Sequence, residues 1–278
     1  MIAYHDGDFL PKSDVCISPD DRGFLFGDGV YEVACAYDGQ LFRMDDHTRR
    51  LERSLRAIRI TPPDLDARAL FEELLRRNNL GERHGKVYVQ VTRGAAPRQH
   101  PFPDEPVPPT VYAFAEPYEP PREKWRRGVS VVTRRDERWT RCDVKDTALL
   151  PNVLASQQAQ EAGAFETILV RDGDVTEGSH STVFAAMNGT VVTHPLTERI
   201  LPGVTREVVL ELCEQEDLPV REAPLAAECL PQADEVIVVG TTTGVMPVVQ
   251  VDDAPVGDGE PGPVTRTLQR AFRQETGL

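Results

Sequence analysis

The sequence has few features from which a cross-linked or metal-bound fold could be built. Its 278 residues include five cysteines, an odd number, and no two of them form a Cys-x-x-Cys pair. This pattern indicates neither a disulfide framework nor a zinc site, and we expect a reducing, cytoplasmic environment. A chain of this length can bury an apolar core large enough to fold without cross-links.

Long apolar runs and clustered positive charge are also missing. No uncharged apolar segment reaches the length that crosses a membrane, and the N-terminus has no basic stretch followed by an apolar one. The formal net charge of −14 argues against nucleic acid as a partner, because phosphate binding depends on clustered Lys and Arg side chains. We therefore expect a protein that binds neither membranes nor nucleic acid.

Local signals for hairpins and helices alternate along the chain. Asp and Asn before Gly supply the positive φ angles that two-residue hairpins need. Four such pairs are flanked by β-prone residues: Asp6-Gly7, Asp38-Gly39, Asp172-Gly173 and Asn188-Gly189. Helical periodicity is present in residues 46–58, 65–75, 154–162 and 206–213. This mixture excludes a regular doubly wound sheet and predicts an α+β fold with antiparallel sheets and packed helices.

A proline-rich stretch, residues 116–122, predicts a boundary between two domains, because prolines cannot donate a continuous ladder of backbone bonds. We expect a smaller N-terminal domain at 1–116, a linker at 117–121 and a larger C-terminal domain at 122–278. Since ligand sites favour clefts between domains, functional residues from both halves are expected to converge.

Two separate residues indicate a cofactor site when they are considered as a pair. Lys145 lies in Arg-Cys-Asp-Val-Lys-Asp, and Glu177 lies in Thr-Glu-Gly-Ser at a predicted strand end. A lysine amine forms a Schiff base with an aldehyde, and a carboxylate held against a pyridine nitrogen keeps it protonated; pyridoxal phosphate chemistry requires both. Taken singly, each residue is better explained as a solvated surface charge.

Two further segments are suited to a phosphate. Residues 201–206, Leu-Pro-Gly-Val-Thr-Arg, predict a helix start at which the amides of Val204 and Thr205 and the threonine hydroxyl would meet an anion. Residues 240–244, Gly-Thr-Thr-Thr-Gly, follow a predicted buried strand and offer Thr241 and Thr242 as further donors. An ordinary helix start has the same sequence pattern as the first of these segments.

Seven motifs occur in one order over nearly the whole chain: 24–32, 47–51, 97–103, 142–145, 176–179, 201–206 and 240–244. With them the sequence resembles the fold-type IV pyridoxal-phosphate enzymes, and within these the D-amino-acid aminotransferases. The resemblance implies a two-domain homodimer that carries pyridoxal 5'-phosphate on Lys145, which is also the catalytic acid and base. It further implies that Glu177 meets the pyridine nitrogen, Arg50 the phosphate, and Leu201 the ring face opposite the lysine.

The same resemblance assigns the substrate side. In the family, residues that match Tyr31, Arg98 and His100 grip the substrate α-carboxylate, and the loop with the last two comes from the neighbouring subunit. His180, where the family usually has serine, and Asp146, where it has smaller or amide residues, are departures; we assign His180 to the substrate. The implied reaction moves the amino group of a D-amino acid to a 2-oxo acid such as 2-oxoglutarate or pyruvate.

Other functions remain open at this point. The chain could be an (R)-amine or branched-chain L-amino-acid transaminase, or an aminodeoxychorismate lyase; the branched-chain enzymes and the lyases lack the Pro-Arg-x-His arrangement of residues 97–100. A cofactor-free hotdog-like or ligand-binding module could contain similar hairpins, but it would have no use for Lys145 and Glu177.

Overall fold

The computed structural model describes all residues, 1–278, and packs them into two units. The first contains Met1–Glu119 and Val144–Leu149, and the second contains Pro120–Asp143 and Leu150–Leu278. The chain leaves the first unit after Glu119, within the predicted linker 117–121, although Pro117 still ends a strand. The predicted α+β class is confirmed, because both units combine sheets with packed helices.

The placement of Lys145 differs from the prediction, which assigned it to the larger C-terminal domain. Its segment, Val144–Leu149, packs with the first unit. The reason is a set of backbone hydrogen bonds: the Tyr31 amide donates to the Lys145 carbonyl at 3.0 Å, and the Thr147 amide donates to the Gly29 carbonyl at 3.0 Å. Pairing between such distant segments leaves no local signal in the sequence.

A six-stranded antiparallel sheet forms the centre of the first unit. Its strands are β1 (Ile2–His5), β2 (Asp8–Pro11), β3 (Gly29–Tyr37), β4 (Gln40–Leu41), β5 (Gly85–Thr92) and β6 (Val111–Pro117). Their order is β2-β1-β6-β5-β3-β4. β3 pairs with β5 from Gly29 opposite Thr92 to Ala36 opposite Gly85, and this register places Tyr31 opposite Gln90.

The helices of the first unit are α1 (Arg22–Phe26), α2 (Met44–Ala57) and α3 (Ala67–Arg77), with a 3₁₀ turn at Lys12–Asp14. Both predicted helices, 46–58 and 65–75, are confirmed to within two residues at each end. Leu55, Phe71 and Leu74 pack with Val87 and Val89 of β5 in one core. Fully burying each such side chain stabilises the unit by roughly 1.5–3 kcal/mol.

The second unit is built on a nine-stranded sheet. The strands are β7 (Val129–Arg135), β8 (Glu166–Arg171), β9 (Asp174–Gly178), β10 (Thr182–Met187), β11 (Thr190–Thr193), β12 (Val220–Glu222), β13 (Glu235–Gly240), β14 (Gly244–Val251) and β15 (Ala254–Pro255). The order is β12-β11-β10-β13-β14-β7-β8-β9, with β15 also paired to β14. Val131, Ile168, Ala185, Val238 and Met246 are among its core residues.

The helices of this unit are α4 (Arg122–Arg127), α5 (Leu150–Glu161), α6 (Val204–Gln215) and α7 (Pro263–Thr276), with a 3₁₀ helix at Ala227–Gln232. The predicted helices 154–162 and 206–213 correspond to α5 and α6, which begin earlier than expected. α7 was not predicted. No helix in the structure combines the length and apolarity needed to cross a membrane.

All four predicted hairpins are confirmed. They connect β1 to β2, β3 to β4, β8 to β9 and β10 to β11, each pair antiparallel. Both central residues of every turn have positive φ, with values that range from 45° at Asp6 to 107° at Gly7. Asp, Asn and Gly tolerate this left-handed region, where a β-branched residue would be strained.

The sheet of the second unit corrects one part of the prediction, because it is mixed rather than wholly antiparallel. The pairs β7 with β8, β7 with β14, and β11 with β12 are parallel. Parallel neighbours need a long crossover connection, usually helical. Here α5 connects β7 to β8 and α6 connects β11 to β12. Hairpin signals reveal only the antiparallel connections.

Candidate active site

Lys145 is held in the first unit by its backbone. The Lys145 amide donates to Ser54 Oγ of α2 at 3.2 Å, and its carbonyl accepts from Tyr31 of β3. The side-chain amine lies 4.2 Å from the centroid of the Tyr31 ring, within the range of a cation–π interaction. A strand and a helix thus fix the main chain, while the amine stays beside an aromatic ring in a half-buried position.

Tyr31 is itself held by a neighbouring ring. It stacks on Tyr88 with 5.6 Å between ring centroids and an interplanar angle of 26°. The Tyr88 hydroxyl donates to Gln90 Oε1 at 2.7 Å, and Gln90 lies directly opposite Tyr31 in the sheet. The structure therefore brings Lys145 next to Tyr31, another predicted site residue, which lies on β3 and is held there by its neighbours in the sheet.

Arg50 belongs to a buried charge network on the inner face of α2. Its Nε donates to Glu32 Oε2 at 2.9 Å and its Nη2 to Glu32 Oε1 at 2.6 Å. His47 Nδ1 lies 3.0 Å from Glu32 Oε1. Burial of Glu32 by itself raises its pKa, but the Arg50 charge and the hydrogen bonds from His47 and Arg50 hold the pKa well below its ordinary value. Glu32 therefore stays ionised and orients the Arg50 guanidinium.

Arg98 and His100 are exposed on the loop that follows β5. Both contact Phe26 at the end of α1: the Arg98 Cζ lies 5.3 Å from the Phe26 ring centroid, and the two ring centroids of His100 and Phe26 are 5.6 Å apart. The structure thus brings these two predicted residues together around one aromatic ring. A guanidinium and an imidazole on an exposed loop can bind a carboxylate.

In the second unit, Glu177 is almost fully buried at the end of β9, with its side chain 7% exposed. Arg138 Nη1 donates to Glu177 Oε1, and the Leu201 amide donates to Oε2 at 3.0 Å. Burial raises the pKa of Glu177 above its ordinary value. The Arg138 charge and these two hydrogen bonds lower the pKa, but they offset only part of the effect of burial. The structure therefore places the Leu201 backbone beside the Glu177 carboxyl group.

His180 lies in a turn that is organised by a second buried carboxylate. Glu166 Oε1 accepts from the His180 amide at 2.8 Å and lies 3.1 Å from His180 Nδ1. Glu166 Oε2 accepts from the Ser181 hydroxyl at 2.8 Å. The His180 side chain is 47% exposed, so its ring can meet a ligand while its backbone is held.

The predicted phosphate segment begins a helix, as expected. α6 starts at Val204, and its first residue is preceded by Gly203, which provides no side-chain hydrogen bond to the helix amides. Val204 and Thr205 are each 5% exposed. The first amides of a helix have no intrahelical acceptor, so the start of α6 can bind an anion through its amides and the helix dipole.

Thr241 and Thr242 lie in the tight turn between β13 and β14, and both are half-buried. The turn is closed by the Thr243 amide, which donates to the Gly240 carbonyl at 3.1 Å. Trp125 Nε1 donates to the Thr243 carbonyl at 2.8 Å and anchors the turn to α4. A fixed turn with two successive hydroxyls is suited to hydrogen-bond a phosphate oxygen.

Each unit, taken by itself, has groups whose chemistry suits a part of pyridoxal phosphate. The first unit offers an amine beside an aromatic ring and a guanidinium fixed by a carboxylate. The second unit offers a buried carboxyl group, an anion-binding helix start and a hydroxyl-rich turn. No group of three or more His, Cys, Asp or Glu side chains is arranged to hold a metal ion.

Sequence reasoning missed three residues that organise these groups: Glu32, Arg138 and Glu166. Glu32 had a usable signal, because a carboxylate in the apolar strand Val-Tyr-Glu-Val-Ala requires a buried partner. Glu166 had the same signal before the apolar run Thr-Ile-Leu-Val. Arg138 follows a run of charged residues and resembles a solvated surface side chain, so its sequence context gave no such signal.

Comparison with known proteins identifies relatives over the whole chain. The chain is 43% identical to a D-alanine aminotransferase of Staphylococcus haemolyticus over 273 residues, which cover 97% of this chain and 95% of the relative. A branched-chain amino acid aminotransferase of Escherichia coli has a similar structure, with a TM-score of 0.89, 26% identity, and coverage of 98% and 93%. A T.th. branched-chain amino acid aminotransferase with pyridoxamine 5'-phosphate matches with a TM-score of 0.88, 27% identity, and coverage of 99% and 94%.

The model of one family, amino-transferase class IV, matches residues 29–251. That range contains Lys145, Glu177, Arg50 and both predicted phosphate segments. Together with the full-length relatives, the match shows that the chain belongs to the class IV aminotransferases, which are pyridoxal-phosphate-dependent enzymes.

Proposed function

We propose that the protein is a D-amino-acid transaminase that moves the amino group of a D-amino acid to a 2-oxo acid such as 2-oxoglutarate or pyruvate. The proposal is supported by full-length relatives that are called D-alanine aminotransferases and are up to 43% identical to this chain, against 26% for the Escherichia coli branched-chain enzyme. The structural observation that carries it is the exposed loop on which Arg98 and His100 lie together around Phe26.

Pyridoxal phosphate, when bound, supplies an electron sink for the bond that breaks at the amino carbon of the substrate. The Lys145 amine would hold the cofactor at its aldehyde carbon and, once the substrate amine has displaced it, would act as the acid and base that moves the proton of the substrate Cα. Glu177 would keep the pyridine nitrogen protonated. The support for these two roles is the buried carboxyl group of Glu177 and the ordered backbone of Lys145 beside Tyr31.

The remaining cofactor contacts follow from charge and donor geometry. Glu32 orients the Arg50 guanidinium, and Arg50 would neutralise the charge of the phosphate dianion. The amides of Val204 and Thr205, at the uncapped start of α6, and the Thr205 hydroxyl would donate to phosphate oxygens. Thr241 and Thr242 would add donors from their turn, while Leu201 would cover the ring and exclude water.

On the substrate side, Arg98 and His100 would bind the α-carboxylate with Tyr31, and His180 would contact the rest of the substrate. We propose a homodimer in which the loop with Arg98 and His100 reaches the neighbouring active site. The exposure of both side chains is compatible with that role. A cytoplasmic location stays a prediction, consistent with five unpaired cysteines.

A donor panel tests the proposed activity. Purified holoenzyme is assayed with 2-oxoglutarate as acceptor and with D-alanine, L-leucine or (R)-1-phenylethylamine as donor. D-glutamate is assayed with pyruvate as acceptor, because its transfer to 2-oxoglutarate gives no net change. We expect the D-amino acids to be the best donors. A preference for L-leucine would instead support the branched-chain function, which the similarity to branched-chain aminotransferase structures keeps as the second candidate.

The cofactor attachment is tested separately. Borohydride reduction of the holoenzyme followed by peptide mass mapping should find the cofactor on Lys145, and Lys145→Ala should lose the characteristic visible absorbance. Modification of a different lysine would disprove this assignment without changing the family.

A further inference from the structure

Arg22, the first residue of α1, is buried beneath the loop that contains Arg98 and His100. Its Nη1 donates to the Gln99 carbonyl at 2.7 Å and to the Pro101 carbonyl at 3.3 Å. Its Nη2 donates to the His100 carbonyl at 3.3 Å. One guanidinium thus binds three successive carbonyls of the loop, although it lies 77 residues away in the chain from Gln99.

Asp28 fixes the other side of this guanidinium. Arg22 Nε donates to Asp28 Oδ2 at 2.8 Å, and Arg93 donates to both oxygens of the same carboxylate at 2.8 and 2.9 Å. Burial of Asp28 raises its pKa, but the hydrogen bonds and charges of Arg93 and Arg22 outweigh burial and lower the pKa below its ordinary value. Asp28 therefore stays ionised and keeps Arg22 in one orientation.

The side chains of the loop are guided by the same region. The Arg22 Cζ lies 4.8 Å from the Phe26 ring centroid, and Arg98 and His100 contact that ring as well. Arg93 lies over the Phe102 ring, with its Cζ 3.7 Å from the centroid. The loop is thus held by its carbonyls from inside the unit, and its two functional side chains are placed around Phe26.

This arrangement has a physical consequence for binding. A free loop populates many backbone conformations, and a ligand that needs one of them must overcome the loss of that freedom on binding. Charge-assisted hydrogen bonds to three consecutive carbonyls restrict those conformations in advance. Only the planar fork of arginine can reach all three while it also binds Asp28; the compact ammonium group of lysine cannot.

We propose that Arg22 is a positioning residue for substrate carboxylate binding, acting through the backbone of residues 99–101. The proposal rests on the carboxylate-binding role proposed above for Arg98 and His100. Arg22 makes no contact with substrate in this proposal. It sets the shape of the loop, so its loss weakens carboxylate binding and leaves the chemistry at Lys145 unchanged.

The test compares Arg22→Lys with the matched variant Arg93→Lys, both in the holoenzyme. Each substitution keeps a cation beside Asp28, and a lysine at 93 also keeps a cation over Phe102. The measured quantities are KM and kcat for D-alanine and the inhibition constant of propionate, which is D-alanine without its amino group. We expect Arg22→Lys to raise KM and the inhibition constant about tenfold or more, with kcat and cofactor absorbance nearly unchanged. Arg93→Lys should change both constants by less than about twofold.

A second readout reports the loop directly. Arg98 is exposed, so trypsin can cleave after it, and cleavage at this bond should be faster in Arg22→Lys than in the wild type or in Arg93→Lys. If Arg22→Lys does not fold, Asp28→Asn provides a milder variant, because it removes the charge that orients Arg22 but leaves the arginine in place. Asp28→Asn should also raise KM and the rate of cleavage after Arg98, but by less than Arg22→Lys does.

The outcomes separate this proposal from the proposed function. If Arg98→Ala raises KM for D-alanine but Arg22→Lys, or Asp28→Asn where it is needed, changes neither KM nor proteolysis, the role of Arg22 is disproved and the carboxylate site stands. Equal effects of Arg22→Lys and Arg93→Lys would also overturn it, since general destabilisation would then explain both. If Arg98→Ala has no effect on KM, the carboxylate site itself is wrong.

Discussion

Arg50 binds both carboxylate oxygens of Glu32, at 2.9 Å from Nε and 2.6 Å from Nη2, across 18 residues of chain. Both side chains are buried, with 7% and 1% of their surfaces exposed. Two parallel bonds between a guanidinium and a carboxylate fix the plane of the guanidinium as well as its distance. Glu32 therefore sets the direction in which Arg50 presents its charge.

We predict that Glu32→Gln weakens cofactor binding. Glutamine keeps the volume but loses the charge and one acceptor, so Arg50 is no longer held in one plane. The dissociation constant of the apoprotein for pyridoxal phosphate, measured by absorbance titration, should rise about tenfold. Glu52→Gln, on the outer face of α2 where Glu52 pairs with Arg56, is the control and should leave it unchanged. An unchanged dissociation constant in Glu32→Gln would show that Glu32 does not contribute to cofactor binding.

The stability of the apoprotein should depend on Glu32 in a pH-dependent way. The pKa of Glu32 is lowered in the folded state, so its ionised form stabilises the fold above the unfolded pKa of about 4.3. This stabilisation is lost as the pH falls below that value towards the folded pKa. The difference in free energy of unfolding between wild type and Glu32→Gln should therefore be largest near neutral pH and shrink in acid. Urea unfolding at several pH values measures this difference. A difference that grows as the pH falls would contradict the prediction.

We expect Glu177→Gln to retain the cofactor but to slow turnover by orders of magnitude, because a neutral amide cannot hold a proton at the pyridine nitrogen. Each ~1.4 kcal/mol added to the barrier is about a tenfold loss of rate. Stopped-flow measurement of the half-reaction with D-alanine separates this step from binding. Glu137→Gln, an exposed carboxylate next to Arg138, is the matched control. Normal turnover in Glu177→Gln would remove Glu177 from the mechanism.

Arg98→Ala should discriminate between donors that have a carboxylate and those that lack one. The kcat/KM for D-alanine and D-glutamate should fall by about tenfold or more, because a charge-assisted contact is lost. The value for (R)-1-phenylethylamine should change far less, since that donor has no carboxylate to bind. Equal losses for both kinds of donor, or a wild-type preference for L-amino acids, would show that the loop does not bind the carboxylate.

Much of the local structure could be predicted from the residues alone. The turns at Asp6-Gly7 and Asn188-Gly189 follow from the tolerance of Asp, Asn and Gly for positive φ, which is a property of the residues themselves. α2 and α3 follow from apolar periodicity over more than ten residues. The candidate residues of the proposed site, above all Lys145 and Glu177, could be identified from the sequence because each lies in a short motif.

The tertiary structure decided the contacts between distant segments. It paired the Lys145 segment with β3, placed Arg138 on Glu177, and made three pairs of the second sheet parallel. It also placed Arg22 under the carbonyls of residues 99–101. The sequence determines which side chains are available and which local conformations the backbone favours over a few residues. Which charge meets which carboxylate depends on chain packing over tens of residues, and no local pattern records it.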